Sequence, residues 1–230
     1  MLIKNIFKDT LIYSIPKLIS VILLLFLIPL FTRLFDPKDF GILDLFVIFN
    51  SIVKLTICLE ITQAVGRFHA SEVNQNKRII YASSAFWYTL LTYTLFAFIM
   101  LNVSTSFSSL LFGLKKSDLI YKAGIFYIWI NGIYYLVLNQ LRWELRSKIY
   151  SLISFIMFSL SAVVSIWLTY FQNWKLLGII TGIIIGNIFA TLFGIWFLRK
   201  SFKLKLDLKY LRKMLLYSAP LVISGIAVWI

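Results

Sequence analysis

Six long apolar segments, each about as long as a bilayer is thick, constrain this chain more than any other feature of its sequence. A helix needs roughly 20 apolar residues to cross the hydrocarbon core, and backbone polar groups there must bond within their own segment. We therefore predict an all-α, polytopic membrane protein. The predicted spans are residues 10–32, 40–66, 80–103, 119–141, 151–171 and 176–198, and a seventh begins near Met214.

Composition excludes several other classes of protein. The chain is 60% hydrophobic and 14% charged, which is far from a soluble domain. One cysteine, Cys58, and one histidine, His69, exclude a disulfide framework and a Cys/His metal cluster within the chain. The sequence contains no phosphate-binding loop, nucleophile elbow or paired carboxylates on one helix face. We therefore expect a protein without cofactor, metal or catalytic residues.

The net charge of +14 has an explanation in the membrane rather than in a nucleic-acid partner. Fifteen of the 23 Lys and Arg residues lie in the N-terminal segment and in the loops after even-numbered spans, against six in the opposite loops. Cytoplasmic loops of membrane proteins carry such an excess. We expect a multi-pass protein whose N-terminus is cytoplasmic. The first span lacks a small-residue cleavage site, so we expect it to remain as a helix.

A short repeat indicates how the spans are organised. Residues 11–22 and 215–226 share seven of twelve identities, including Tyr-Ser-x-Pro, at a spacing of 204 residues. Six spans return the chain to its starting side, so the repeat is parallel, which is a transporter architecture with the substrate path between two halves. We predict a six-helix lobe at 1–213 and the first helix of a second lobe at 214–230. A fragment, a truncated gene and an engineered piece fit this interpretation equally. Chance similarity is the weaker alternative, because Tyr, Ser and Pro are not residues that an apolar composition duplicates.

Charged residues inside the spans mark candidate sites. Lys54 lies near the middle of the second span, where a lysine costs about 2.5–3.5 kcal/mol, and this favours a position in a cavity. Lys17 shares a helix stripe with Tyr13 and either lines a lumen or snorkels to the head groups. Glu60 is either a charge partner of a lysine or a proton or cation coupling group. On one continuous helix it would lie about 120° from Lys54 and share a face with Arg67.

Uncharged polar residues in the spans are weaker candidates for a cavity lining. Asn50 and Gln63 lie on the second span, and Asn131 and Asn139 share a face of the fourth. Hydrogen bonding between helices explains the last two as well as substrate contact does. On the sixth span, a row of small residues at four-residue spacing predicts close helix packing: Gly178, Gly182, Gly186, Ala190 and Gly194.

Several segments resemble one family, the polysaccharide repeat-unit flippases. Residues 32–45, TRLFDPKDFGILDL, resemble the "TRLLSPEEYGIYDL" connection that follows the first helix of those proteins. Residues 63–68 resemble their "AVIRF" segment, and residues 142–150 resemble a basic loop before their fifth helix. The Tyr-Ser-x-Pro openings fit as well, so the resemblance covers the whole chain. The relatives are O-antigen and capsule exporters of the multidrug/oligosaccharidyl-lipid/polysaccharide (MOP) superfamily, which have twelve to fourteen helices.

The resemblance implies export of oligosaccharides on an undecaprenyl diphosphate carrier, across the cytoplasmic membrane of a bacterium or archaeon. The head group would pass between two six-helix lobes that alternate in access. Lys17, Lys54 and Arg67 would be the cavity cations that attract the diphosphate. Expected partners are the lipid-linked oligosaccharide, membrane lipids, and the polymerase and chain-length machinery.

Three alternatives remain. A cation antiporter of the related drug extrusion family would need an acidic lumen, whereas here two deep cations outnumber the one deep acid, Glu60. A membrane enzyme would need large polar loops, and the longest loop predicted has only about 15 residues. An inactive remnant is the third alternative.

Overall fold

The computed structural model describes residues 35–103, 105–114 and 118–227, and only positions 18, 21, 22, 25, 29 and 32 of the first 34. The first predicted span, with Tyr13 and Lys17, therefore lies largely outside the described residues. Within them every regular element is a helix, which confirms the all-α class. The helices are α1 (Pro37–Thr56), α2 (Ile61–Ser71), α3 (Gln75–Asn102), α4 (Thr105–Phe112), α5 (Leu119–Trp143), α6 (Ser147–Tyr170), α7 (Lys175–Phe197) and α8 (Leu208–Ala227).

The described helices differ in how well they suit a bilayer. Helices α3, α6 and α7 are long and apolar enough to cross it, and α1 and α2 together make a fourth candidate, bent by 50° at their junction. Helix α5 has 25 residues and contains the whole predicted span 119–141, but it is not among these candidates. The prediction of one continuous helix over 40–66 is wrong, because the chain breaks between Thr56 and Ile61.

Helix ends follow local sequence signals where those exist. Pro37 opens α1 at a position where its missing N–H costs nothing. The Asn74 side chain caps α3 by accepting from the backbone N–H groups of Asn76 and Lys77, at 2.9 and 3.4 Å. At the end of α7, Arg146 donates to the Phe197 carbonyl at 2.8 Å. Helix α4 occupies a stretch predicted as loop, and its buried Phe112 stacks on Phe46.

The glycine row on α7 packs as predicted. A Cβ on Gly182 would lie 2.6 Å from the Ser165 backbone nitrogen, and one on Gly186 would lie 2.6 Å from the Met157 carbonyl oxygen. Real Cβ atoms do not approach backbone so closely, so these two glycines are what allow α6 and α7 to lie in contact. Helix α5 lies at the centre of the described bundle and packs against α1, α2, α3, α6 and α7.

Candidate functional site

The break between α1 and α2 is the most unusual backbone in the spans. Leu59 and Glu60 adopt left-handed conformations, with φ of 50° and 47°. Such a conformation costs of order 1–3 kcal/mol for a residue other than glycine. Residues 57–60 contain neither glycine nor proline, so the sequence has none of the usual signals of a helix break. The surrounding structure must therefore hold this turn.

Neighbouring groups satisfy the backbone that the break exposes. Tyr88 on α3 donates from its hydroxyl to the Ile57 carbonyl at 3.1 Å. The Glu60 N–H donates to the Lys54 carbonyl at 3.2 Å, and Thr62 donates to the Glu60 carboxylate at 3.4 Å. Unpaired backbone groups cost several kcal/mol in a membrane, so these bonds explain how an irregular turn is tolerated at that depth.

The break brings Lys54 and Glu60 into one small pocket. Its volume is about 10 Å³, which is room for a single water molecule. The separation of 120° expected on a continuous helix does not apply, because the helix breaks between the two residues. The pocket is lined by Lys54, Cys58, Glu60, Ile61, Thr62, Thr89, Tyr93, Gly132, Tyr135 and Leu136.

Lys54 is held by an aromatic ring rather than by an acid in direct contact. Its Nζ lies 4.7 Å from the centroid of the Tyr135 ring, a cation–π geometry. Glu60 is near enough to attract it electrostatically, although the two side chains form no direct ion pair. Both are half-buried. An ammonium held in this way keeps N–H donors for an anion.

Arg67 belongs to a second basic group, at the junction of α2 and α8, and does not line this pocket. Its guanidinium lies 4.7 Å from the centroid of the Tyr217 ring, and Lys213 lies 4.8 Å from that of Phe68. The two rings are 5.7 Å apart in an edge-on contact. Arg67 and Lys213 are both exposed, as is Gln63 one turn before Arg67. Lys54 and Arg67 thus lie at two separate places along the bent pair.

Asn50 and Asn131 hydrogen-bond each other in the interior. Asn50 on α1 donates to the side-chain oxygen of Asn131 on α5 at 2.7 Å, and Asn131 donates to that of Asn187 on α7 at 3.2 Å. Asn187 closes the series by donating to the carbonyl of Ile183 at 2.8 Å. Among the described residues, Asn139 donates within its own helix alone, to the Tyr135 carbonyl at 2.9 Å. Of the two explanations offered for Asn131, this geometry matches hydrogen bonding between helices.

Sequence reasoning missed the roles of three residues that matter here. Asn187 is fully buried. An amide in the most apolar of the described helices predicts a hydrogen bond to another helix, so the sequence did indicate this residue. Tyr135 carried none as a partner of Lys54, because the contact depends on the break in another helix. Thr89 is a third: its hydroxyl is buried in the pocket without a hydrogen-bond partner among the described atoms.

Comparison with known proteins identifies one matching family and two solved structures with a similar fold. The sequence model of a family described as "polysaccharide biosynthesis protein" matches residues 30–230. The fold is similar to that of a MOP superfamily transporter from Pyrococcus furiosus, with a TM-score of 0.71 and 15% identity. It is also similar to an outward-facing multidrug resistance MATE family transporter of that superfamily, with a TM-score of 0.70 and 16% identity.

Both likenesses cover 95% of this chain but 52% of the solved structure. The chain thus spans about half the length of the transporters it matches. At this level of identity the likeness shows a shared fold. No curated protein matches the chain.

Proposed function

We propose that this chain, which belongs to the polysaccharide biosynthesis protein family, forms one lobe of a flippase for lipid-linked oligosaccharides. The substrate would be a repeat unit on an undecaprenyl diphosphate carrier, moved across the cytoplasmic membrane for synthesis of surface polysaccharide, such as O-antigen or capsule. The family match concerns polysaccharide biosynthesis, and the similar structures are transporters. A flippase for a saccharide precursor joins these two facts in one activity.

The observation that carries the proposal is the placement of Lys54. A half-buried ammonium, supported by the Tyr135 ring at a break in a spanning helix pair, is expensive to keep inside a membrane. Such residues generally mark a substrate or ion pathway. A diphosphate is a dense anion, and an ammonium is a compact charge that binds phosphate oxygens well. Arg67, exposed at the α2–α8 junction, would meet the same head group nearer the cytoplasm.

The mechanism follows from this arrangement as alternating access. The head group would enter between this lobe and its counterpart from the cytoplasmic side, where we place the N-terminus. Rocking of the two lobes would then expose it to the other side. The Asn50–Asn131–Asn187 series ties α1, α5 and α7 together, so the lobe can move as one body. Delivery to a polymerase and its chain-length partner would follow release.

A second candidate is a cation antiporter, and Glu60 is the observation that favours it. Its carboxylate lines the same pocket as Lys54, and one of the similar structures is a multidrug transporter. In that case Glu60 would bind the cation or proton that drives transport. The nearby Lys54 opposes this, since a positive charge in the pocket repels a cationic substrate.

A translocation assay distinguishes these candidates. The full-length protein is reconstituted in vesicles that contain undecaprenyl diphosphate linked to a fluorescently labelled oligosaccharide. An impermeant reductant then bleaches only the label in the outer leaflet. We expect bleaching to extend beyond the outer-leaflet half in vesicles with protein, and not in protein-free vesicles.

The same vesicles are tested for efflux of ethidium, a cationic dye. Dye efflux without lipid movement would favour the antiporter and contradict the flippase. If neither the lipid nor the dye moves, the flippase and the antiporter are both contradicted, and the result matches an inactive remnant.

A further inference from the structure

The segment between α7 and α8, residues 198–207, is fixed to α3 by a set of hydrogen bonds; we refer to it as the basic strap. Ser83 donates to the Ser201 carbonyl at 3.0 Å and accepts from the Lys203 N–H at 2.9 Å. Ser84 accepts from the Asp207 N–H at 3.0 Å. Both serines are fully buried beneath the strap. A loop that served only to join α7 and α8 would not need three hydrogen bonds to α3.

Aromatic contacts reinforce this attachment. The Trp87 indole N–H donates to the Lys203 carbonyl at 2.9 Å, and Phe202 stacks on Phe86 with ring centroids 4.6 Å apart. Ser83 lies eight residues into α3, about 12 Å along the helix from its first residue. The strap also follows directly on α7, which ends at Phe197. It therefore lies level with the end of a membrane span.

Both leucine and lysine side chains are exposed on and beside the strap. Leu204 is 88% exposed and Leu208, the first residue of α8, is 70% exposed. Four lysines on and beside the strap are exposed as well, namely Lys200, Lys203, Lys205 and Lys209. Trp196, two residues before the strap, is 56% exposed with Arg199 over its ring, and tryptophan is typical of the membrane–water interface.

The negative charge on this segment is already engaged. Asp207, the one acid between Arg199 and Lys213, accepts from the backbone N–H groups of Lys209 and Tyr210 at 2.9 and 3.4 Å. It thereby caps the start of α8. The lysine side chains of the strap have no acidic partner within it.

We propose that the basic strap binds anionic phospholipid head groups in the leaflet at which α7 ends. The lysines would contact the lipid phosphates, and Leu204 and Leu208 would enter the boundary between head groups and acyl chains. Exposed leucines beside clustered lysines are the composition of interfacial lipid-binding segments. A solvated loop would explain the lysines but not the leucines, and a protein-binding loop would not need to lie at the end of a span.

The test places a probe on the strap of the full-length protein in vesicles. Leu204→Cys carries an environment-sensitive fluorophore, and quenching by brominated phosphatidylglycerol is compared with quenching by brominated phosphatidylcholine. Cys58 is buried, so the parent protein serves as the labelling blank. Val73→Cys is the matched control, because Val73 is 92% exposed on the α2–α3 connection, where Lys77 is paired with Glu72 at 3.9 Å.

We expect quenching at position 204 to be at least twofold stronger with phosphatidylglycerol than with phosphatidylcholine, and the two to be equal at position 73. Replacing Lys200, Lys203, Lys205 and Lys209 by glutamine should remove the preference, as should raising the salt concentration. Because these lysines are exposed, the variant should elute as the parent does in size-exclusion chromatography. Equal quenching by the two lipids at position 204, or none by either, would overturn the proposal. Neither result bears on the flippase activity.

Discussion

At the scale of single residues, polar groups inside the spans serve two purposes. Asn50, Asn131 and Asn187 bond one another and join three helices. Lys54 contacts a ring and retains donors that the described residues do not use. The sequence alone indicated Lys54 as unusual, since its cost at the predicted depth is a property of lysine. Its neighbours Tyr135 and Glu60 could not be predicted, because their positions depend on the break.

The asparagine series makes a prediction about stability. Asn187→Ala should lower the free energy of unfolding by about 0.5–2 kcal/mol, because the half-buried Asn131 amide loses its acceptor. Asn139→Ala is the matched control, since the bond that Asn139 makes to the described part of the chain goes to a carbonyl of its own helix. SDS titration in mixed micelles measures both variants. Equal losses would show that the contact between helices contributes nothing of its own.

At the scale of elements, apolar length identified most helices, and the break escaped prediction. Helices α6 and α7 lie within four residues of their predicted bounds, because long apolar segments in a membrane have no alternative to helix. The break carries no such signal: Leu59 and Glu60 adopt left-handed backbone although neither residue type favours it. Helix α4 was missed because eight residues are too few for a reading based on spans.

The left-handed turn can be tested by comparing how glycine substitutions inside and outside it change the stability of the protein. Leu59→Gly should relieve about 1–2 kcal/mol of backbone strain, which offsets its lost packing. Leu43→Gly, at another half-buried leucine but inside α1, should cost about 1 kcal/mol of helix propensity in addition to lost packing. We therefore expect Leu59→Gly to be the more stable of the two by SDS titration. The reverse order would contradict the left-handed assignment.

The contact between α6 and α7 gives a second prediction for an element. Gly182→Ala should destabilise the protein by about 1–3 kcal/mol, because a Cβ there meets the backbone of Ser165 and the helices must separate. Gly41→Ala is the matched control, since nothing lies within 4 Å of a Cβ at that position. The control should equal or exceed the parent in melting temperature in detergent. A harmless Gly182→Ala would mean that α6 and α7 are less closely packed.

At the scale of the whole molecule, the fold and the orientation have different support. The MOP transporter fold follows from the likeness to solved structures, and the sequence resemblance had already indicated it. The cytoplasmic N-terminus depends only on the distribution of lysine and arginine, so it remains a prediction. Consecutive spans reverse direction, so in the predicted topology α3 and α6 run the same way and α7 runs the opposite way. The orientation of the whole lobe is therefore testable from a few positions.

Cysteine accessibility tests that orientation. Val73→Cys should react with an impermeant maleimide only after the cells are opened, because the α2–α3 connection is predicted to be cytoplasmic. Trp174→Cys, between α6 and α7 and 46% exposed, should react in intact cells. Buried Cys58 should stay unlabelled in both. The opposite labelling pattern would invert the predicted topology.

The most direct measurement of the central claim is the initial rate of lipid-linked oligosaccharide translocation by the full-length protein with Lys54→Gln. Glutamine keeps the length and polarity of the side chain but removes the charge that we assign to diphosphate binding. We predict a rate at least tenfold lower at normal expression and folding, with Lys54→Arg retaining more activity than Lys54→Gln. An unchanged rate in Lys54→Gln would contradict the account.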